Sequence, residues 1–458
     1  MFKFLKTTKK LELLLIMTLA IQGGVNLIGA LGPELGFDAL WYHLTIPKLY
    51  LEQGKVFIPG NLLYYSGMPK LIEILYIPAI YIGGEILAKL VHFSLGVGTL
   101  IVLYRLSQIF LPKTGSLLVS VVFYSNLVVA WQSTTAYIDL GRTFFEILGL
   151  YFLLSYFKYK KEANITKSAI SIGLAISSKL LGFGSLVIFT IVLFLNKLKT
   201  LIVLRFILIA LIIPMPWFIF SYVNTGNPVY PFFEKLYPVA ASISITNIIN
   251  LVRSPDPISP IYLIMFPLIL ISWKKFDKLT KIVGVYSVIS FLVWFVIPQT
   301  GGGRFIMPYL PAYSLIVVIT VFTLKQKTIR NFVTAIILYI ALISIIYRGV
   351  ANSKYLPVLI GRESKHEFLS KNLNFDFGDF YDTDYYFENN IKSTDKVLIY
   401  GTHNLYYVNF PFIHESWRKP TDKFNYVMTQ NADLPEKFSD WKEVYSNKRT
   451  HVKLYSKE

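Results

Sequence analysis

Between Leu11 and Tyr347 the chain is a succession of apolar runs joined by short segments rich in lysine and arginine, and few architectures tolerate that pattern. The runs cover residues 11–31, 86–110, 114–131, 136–157, 166–181, 183–196, 200–223, 258–273, 280–298, 304–323 and 329–347. Inside a bilayer each backbone N–H and C=O must find its partner within the protein, so apolar runs of this kind are read as helices. Charged residues make up only 16% of the chain, against roughly a quarter in a soluble domain. The expected fold is therefore an all-α polytopic membrane protein of about eleven transmembrane helices.

The basic segments fix the sidedness. "KTTKK", "RLSQIFLPK", "KYKKEANITK", "NKLK", "KKFDKLTK" and "KQKTIR" fall at every second junction, so with eleven spans all six lie on one face, as the positive-inside rule requires. The N-terminus is then cytosolic. The formal charge of +18 does not point to a nucleic-acid partner, because residues 351–458 hold fifteen acidic and fifteen basic residues and the excess lies wholly in the membrane part. With no cysteine in the chain, disulfide frameworks and thiolate metal sites are excluded.

Parity also decides two doubtful stretches. "PKLIEILYIPAIYIGG" (69–84) is about 24 Å long at 1.5 Å per residue, and counting it as a span would place later lysine loops on the wrong side; it is read as a juxtamembrane helix. Residues 166–196 must supply two spans, with Gly182 and Gly184 at the outer turn. Residues 32–85, 132–139, 224–257, 299–304 and everything after about 350 then share the non-cytosolic face. In the last hundred residues "DKVLIYG" (395–401) and "LYYVNFPF" (405–412) read as strands and "RESKHEFLSKNL" (362–373) as a helix. This predicts two domains, residues 1–349 in the membrane and a small extracytoplasmic α/β domain over 350–458.

The unusual polar residues lie on or within about a turn of that outer face. Asp38, in "GFDALWYHL", is flanked by Trp41, Tyr42 and His43 and is either a base or a solvated loop acid. Asp139, Arg142 and Glu146 share one helical face, which suits either a site or an internal pair that locks helices. Lys179, in "GLAISSKLLGFG", either snorkels outward or holds a phosphate. Arg304 follows three glycines, where backbone and guanidinium can both approach an anion, or where a turn is simply anchored. "NTGNPVYPFF" (224–233) must turn tightly and shapes a cavity. No phosphate loop, dinucleotide fingerprint or HExxH motif is present.

In their order, "FDALWYHLTIPKLYLEQG", "AYIDLGRTFFE", "GLAISSKLLGF", "TGNPVYPFF" and "GRFIMPYLP" resemble the GT-C superfamily of membrane glycosyltransferases, specifically the prokaryotic relatives of protein O-mannosyltransferases and lipid A aminoarabinose transferases. The resemblance implies a polyprenyl-phosphate sugar donor, an extracytoplasmic acceptor and a plasma-membrane location. It implies that Asp38 is the catalytic acid of the first outer loop and Asp139 a supporting active-site acid. Lys179, Arg304 and Lys70 then hold the donor phosphate, with Tyr42 and His43 beside the substrate. Many relatives carry two adjacent acids in the first loop; here Ala39 follows Asp38, which points to a reaction without a divalent metal, and no other cofactor is expected. The expected chemistry is inverting single displacement. The rival reading is a transporter or flippase of lipid-linked sugars, using Asp139, Arg142 and Lys179 as a pathway; a third is a scaffold for polysaccharide assembly.

Overall fold

A computed structural model describes residues 2–235, 244, 246–253, 257–297 and 302–457, with side chains from Lys9 onward. Parts of the expected 224–257 and 299–304 outer segments, among them Gly301, lie outside the described residues. The chain divides into two compact units. One comprises Met1–Leu31, Met68–Ile72 and Lys89–Lys354; the other comprises Gly32–Gly67, Glu73–Ala88 and Tyr355–Glu458.

In the first unit every apolar run is helical among the described residues. Six helices among the described residues are long and apolar enough to cross a membrane, and the pair Thr200–Ile212 and Met215–Thr225, bent by 53°, makes a seventh if read as one broken span. The bend falls at Pro214, which offers no N–H to the helix and crowds the preceding turn. The other runs give shorter rods. Residues 114–131 form Lys113–Tyr124 and Leu127–Gln132, interrupted where Asn126 Nδ2 donates to the carbonyls of Val122 (2.8 Å) and Phe123 (2.9 Å). Residues 258–273 contribute Ile261–Ser272.

Residues 166–196 do form two helices, Glu162–Ser178 and Gly182–Leu195. Gly182 N–H donates to the Lys179 carbonyl at 2.8 Å, closing the turn between them. A Cβ on Gly182 would stand 2.7 Å from the Ile176 backbone nitrogen, so only glycine fits without displacing backbone. The interior is close-packed around large buried rings, Phe123, Phe189, Phe206 and Trp294 among them, while Leu201 and Val350 stay 78% and 72% exposed. Apolar side chains turned outward on several helices suit lipid rather than water.

The stretch 69–84 is continuous with the next run as one helix, Leu71–Ser107, but its backbone leaves helical geometry at Gly83 and Gly84. Gly84 adopts φ 61° and ψ −153°, a region open essentially to glycine alone.

The second unit is built on a five-stranded sheet: β1 Val397–Tyr400, β2 Phe412–His414, β3 Tyr426–Gln430, β4 Lys442–Asn447 and β5 Val452–Ser456, in the order β2-β1-β3-β5-β4. β1 is parallel to both neighbours, Val397 standing opposite Phe412 and Tyr426; β3–β5 and β5–β4 are antiparallel. Successive side chains of a strand point to opposite faces. Val397, Ile399, Met428 and Leu454 accordingly join one core, and Leu398, Val427 and Tyr455 the other. Burial on both faces explains why "VLIY" is unbroken by polar residues. The helix expected over 362–373 is Lys365–Asn372, opened by a reciprocal Ser364–Glu367 capping box.

One strand expectation is corrected: of 405–412 only Phe412 enters the sheet. Lys48, on the helix Thr45–Gln53, donates through Nζ to the carbonyls of Tyr406 (2.8 Å) and Val408 (2.6 Å) and to Asn409 Oδ1 (3.1 Å). Tyr406 N–H goes to the Leu40 carbonyl. With those groups committed to Leu40 and Lys48, and Val408 N–H to the Leu405 carbonyl, residues 406–408 do not join a ladder, whatever their β propensity; the segment reaches β1 only at its end, where Pro411 accepts from Val397 N–H.

Candidate functional site

Within the second unit, Asp38 stands at the opening of a π-helical turn, Ala39–His43, in which Leu44 N–H reaches back five residues to the Ala39 carbonyl at 2.9 Å. Such turns insert one residue per turn and recur at functional sites. The turn buries Tyr42 and His43 and leaves Asp38 half-buried. His43 Nδ1 is 3.0 Å from Glu73 Oε1, both side chains being enclosed, and the Tyr42 ring lies stacked on Tyr65 at 4.2 Å. Trp41 donates from Nε1 to the Leu62 carbonyl at 3.0 Å. These contacts hold the aromatic part of the motif against the protein, while its acid stays half-buried.

The structure adds a residue that the sequence did not single out. His403 lies flat on Phe37 at 4.9 Å and against Trp41 at 4.4 Å. Its Nδ1 pairs with Asn404 Oδ1 at 3.1 Å, and Asn404 Nδ2 donates to Asp379 Oδ1. Because the amide nitrogen is committed to Asp379, the amide oxygen is the acceptor and Nδ1 carries the proton, which leaves Nε2 basic. Burial lowers the His403 pKa; its bond to Asn404 and the nearby Asp38 charge oppose that shift. A lone histidine in a loop carries no sequence signal of such a role.

In the first unit, Lys179 ends the helix Glu162–Ser178 with an extended backbone, and its Nζ meets Asp139 Oδ1 at 2.6 Å. Asp139 begins the helix Asp139–Tyr159, so the carboxylate sits at the positive end of that helix. Lys179 Nζ also lies 4.9 Å from the centre of the Phe305 ring. Next to this pair, Arg304 covers the Tyr137 ring at 4.9 Å, and Arg142 donates to the Tyr309 hydroxyl at 2.9 Å. Arg142 and Arg304 both act electrostatically on Lys179. Glu146, three residues past Thr143 on the same helix, accepts from the Tyr286 hydroxyl.

Asp139, Arg142 and Glu146 are each 1% exposed. The helical spacing that placed them on one face holds, and that face is turned inward. The cluster gathers three cations and two carboxylates, one cation in surplus. Lys70, buried at 2%, immediately precedes the helix Leu71–Ser107. Deep in the same unit His92 accepts from Leu140 N–H through Nε2 at 3.0 Å and meets the Thr135 carbonyl through Nδ1 at 2.8 Å, bracing the backbone on either side of Asp139. Among the described residues no three His, Asp or Glu side chains converge as a metal-ligand set.

No family model matches the chain, and no curated protein matches it. Solved structures do. ArnT from Cupriavidus metallidurans bound to undecaprenyl phosphate superposes with a TM-score of 0.64 at 12% identity, covering 96% of this chain and 97% of that one. The archaeal oligosaccharyltransferase AglB from Archaeoglobus fulgidus, in complex with an inhibitory peptide and a dolichol-phosphate, gives 0.55 at 12% identity over 90% of this chain and 69% of that one. The arabinofuranosyltransferase AftD from Mycobacteria gives 0.51 at 12% identity, with 96% of this chain on 39% of that one. The chain shares the fold of these three structures.

Proposed function

We propose that the protein is a membrane glycosyltransferase that moves a sugar from a polyprenyl-phosphate donor to an extracytoplasmic acceptor with inversion. The observation that carries this reading is the near end-to-end likeness to ArnT, a structure that holds undecaprenyl phosphate. The cation surplus around Asp139 supports it, since a leaving phosphate needs positive charge where water is excluded. Asp38 takes the proton from the acceptor O–H or N–H as that atom attacks the anomeric carbon. The bond from that carbon to the phosphate oxygen breaks, and polyprenyl phosphate leaves with the electron pair. Lys179, Arg304 and Lys70 hold the phosphate. Asp139 fixes Lys179, and Tyr42 and His43 shape the ground beside Asp38.

In this reading the eleven apolar runs are eleven spans, the shorter rods among them included. The N-terminus is cytosolic in the plasma membrane and residues 350–458 form an extracytoplasmic domain. Sealed vesicles carrying sugar-labelled polyprenyl phosphate test it against the flippase reading. New glycosidic product on the outer acceptor is expected. Label crossing the bilayer with no product formed would contradict the reading.

A further inference from the structure

The second unit holds an open cleft of about 1010 Å³, separate in its lining from Asp38, between the helix Thr45–Gln53 and the α/β domain. Its walls combine rings, Phe57, Tyr381, Tyr385 and Trp417, with the polar groups Lys48, Glu52 and Asp382. That volume lies at the upper end of the range for small-molecule sites, which pair apolar walls with a few placed polar groups. We infer that this cavity binds a neutral oligosaccharide, the acceptor glycan of the transfer reaction. The inference rests on the transferase reading above.

Three observations carry it. First, the walls offer flat apolar faces beside hydrogen-bonding groups of both kinds. That combination matches a sugar ring, which has a C–H face and a rim of hydroxyls. Second, Tyr385 is held at φ 59°, a conformation costly for a bulky residue, with its ring stacked on His366 at 4.1 Å and 10° and nearly half exposed. Strain of this kind persists where the surroundings enforce it, and it tends to cluster at binding sites. Third, the charges argue against an anionic ligand. Lys48 already serves two carbonyls and lies 3.9 Å from Glu52, and the carboxylates of Glu52, Asp382 and Glu388 in the lining outnumber its two ammonium groups, Lys48 and Lys396, so the wall as a whole disfavours a phosphate or a uronic acid.

The test uses the full chain in lipid nanodiscs, titrated with neutral di- to tetrasaccharides and with acidic counterparts, alongside donor turnover to water in the same preparation. Tyr385→Gly removes the ring and relieves the backbone, so it does not threaten the fold, and Glu52→Gln removes one acceptor charge at a partly exposed site. Binding of a neutral oligosaccharide that weakens at least tenfold in both variants supports the cavity. Binding unchanged in both variants overturns it. So does selective binding of acidic glycans, or no binding by protein that still turns over donor. If binding behaves as expected while no donor is turned over, the cavity stands and the transferase reading falls.

Discussion

Lys179 Nζ lies 2.6 Å from Asp139 Oδ1, joining the end of one buried helix to the start of another. A buried ion pair is costly to break from one side, because the remaining charge has neither water nor partner. Asp139→Asn is therefore expected to lose about 3–5 kcal/mol of stability. The double variant Asp139→Asn/Lys179→Met loses less than Asp139→Asn alone. Thermal unfolding in detergent measures the cycle, and strictly additive losses would refute the coupling.

The pair also shows what a sequence can and cannot disclose. Asp139 and Lys179 each stood out as ionisable groups at membrane depth, and the spacing of Asp139, Arg142 and Glu146 announced a shared face. That Lys179 would close on Asp139, forty residues away, depends on how two helices pack, and no local pattern encodes that. Helix positions were legible because apolar runs and glycine or proline breaks act locally. "LYYVNFPF" misled because its β propensity is local while Lys48, which claims its carbonyls, is some 360 residues distant. His403 was illegible for the same reason: its meaning lies in Phe37, Trp41 and Asp38.

Lys48 is the subject of the second prediction. Burial lowers its pKa to about 8, partly offset by Glu52, and its Nζ satisfies two carbonyls. Lys48→Met keeps the packing and removes the donors. Leaving buried acceptors without a donor costs about 1–3 kcal/mol. Hydrogen exchange at residues 405–409 is expected to rise in this variant, and unaltered protection there would contradict the assignment.

His414 predicts a pH dependence. Its Nδ1 accepts from Ser416 N–H at 3.1 Å while Nε2 donates to the Thr402 carbonyl at 3.1 Å, so the neutral ring is the one that fits. Burial, the largest cause, brings its pKa down to about 4. A histidine whose folded pKa lies below its unfolded value near 6.5 contributes its full stability above pH 6.5, and that contribution drains as pH falls towards 4. The loss is on the order of 3 kcal/mol. His403, shifted the same way, adds to the slope. Unfolding of the second unit followed from pH 7 to pH 4 should flatten in His414→Gln; an identical slope would show that another group is responsible.

Gly84 gives a backbone prediction. At φ 61° and ψ −153° it separates the residues before and after it in Leu71–Ser107. The space about it is open, so Gly84→Ala tests conformation rather than crowding. The expected cost is about 1–3 kcal/mol, read as a lower unfolding temperature. Stabilisation, the outcome of a helix that prefers to run straight, would contradict the break.

The central claim is that Asp38 is the base of a sugar transfer from a lipid phosphate. The measurement that meets it most directly is the release of free polyprenyl phosphate from a panel of sugar-loaded polyprenyl phosphates. Wild type and Asp38→Asn are compared with acceptor present, each with and without chelator. Asn keeps the shape of a half-buried side chain and removes its basicity. The account predicts release by wild type, insensitive to chelator, and a fall of about 10²–10⁴-fold in the variant. Turnover in Asp38→Asn equal to that of wild type would contradict it.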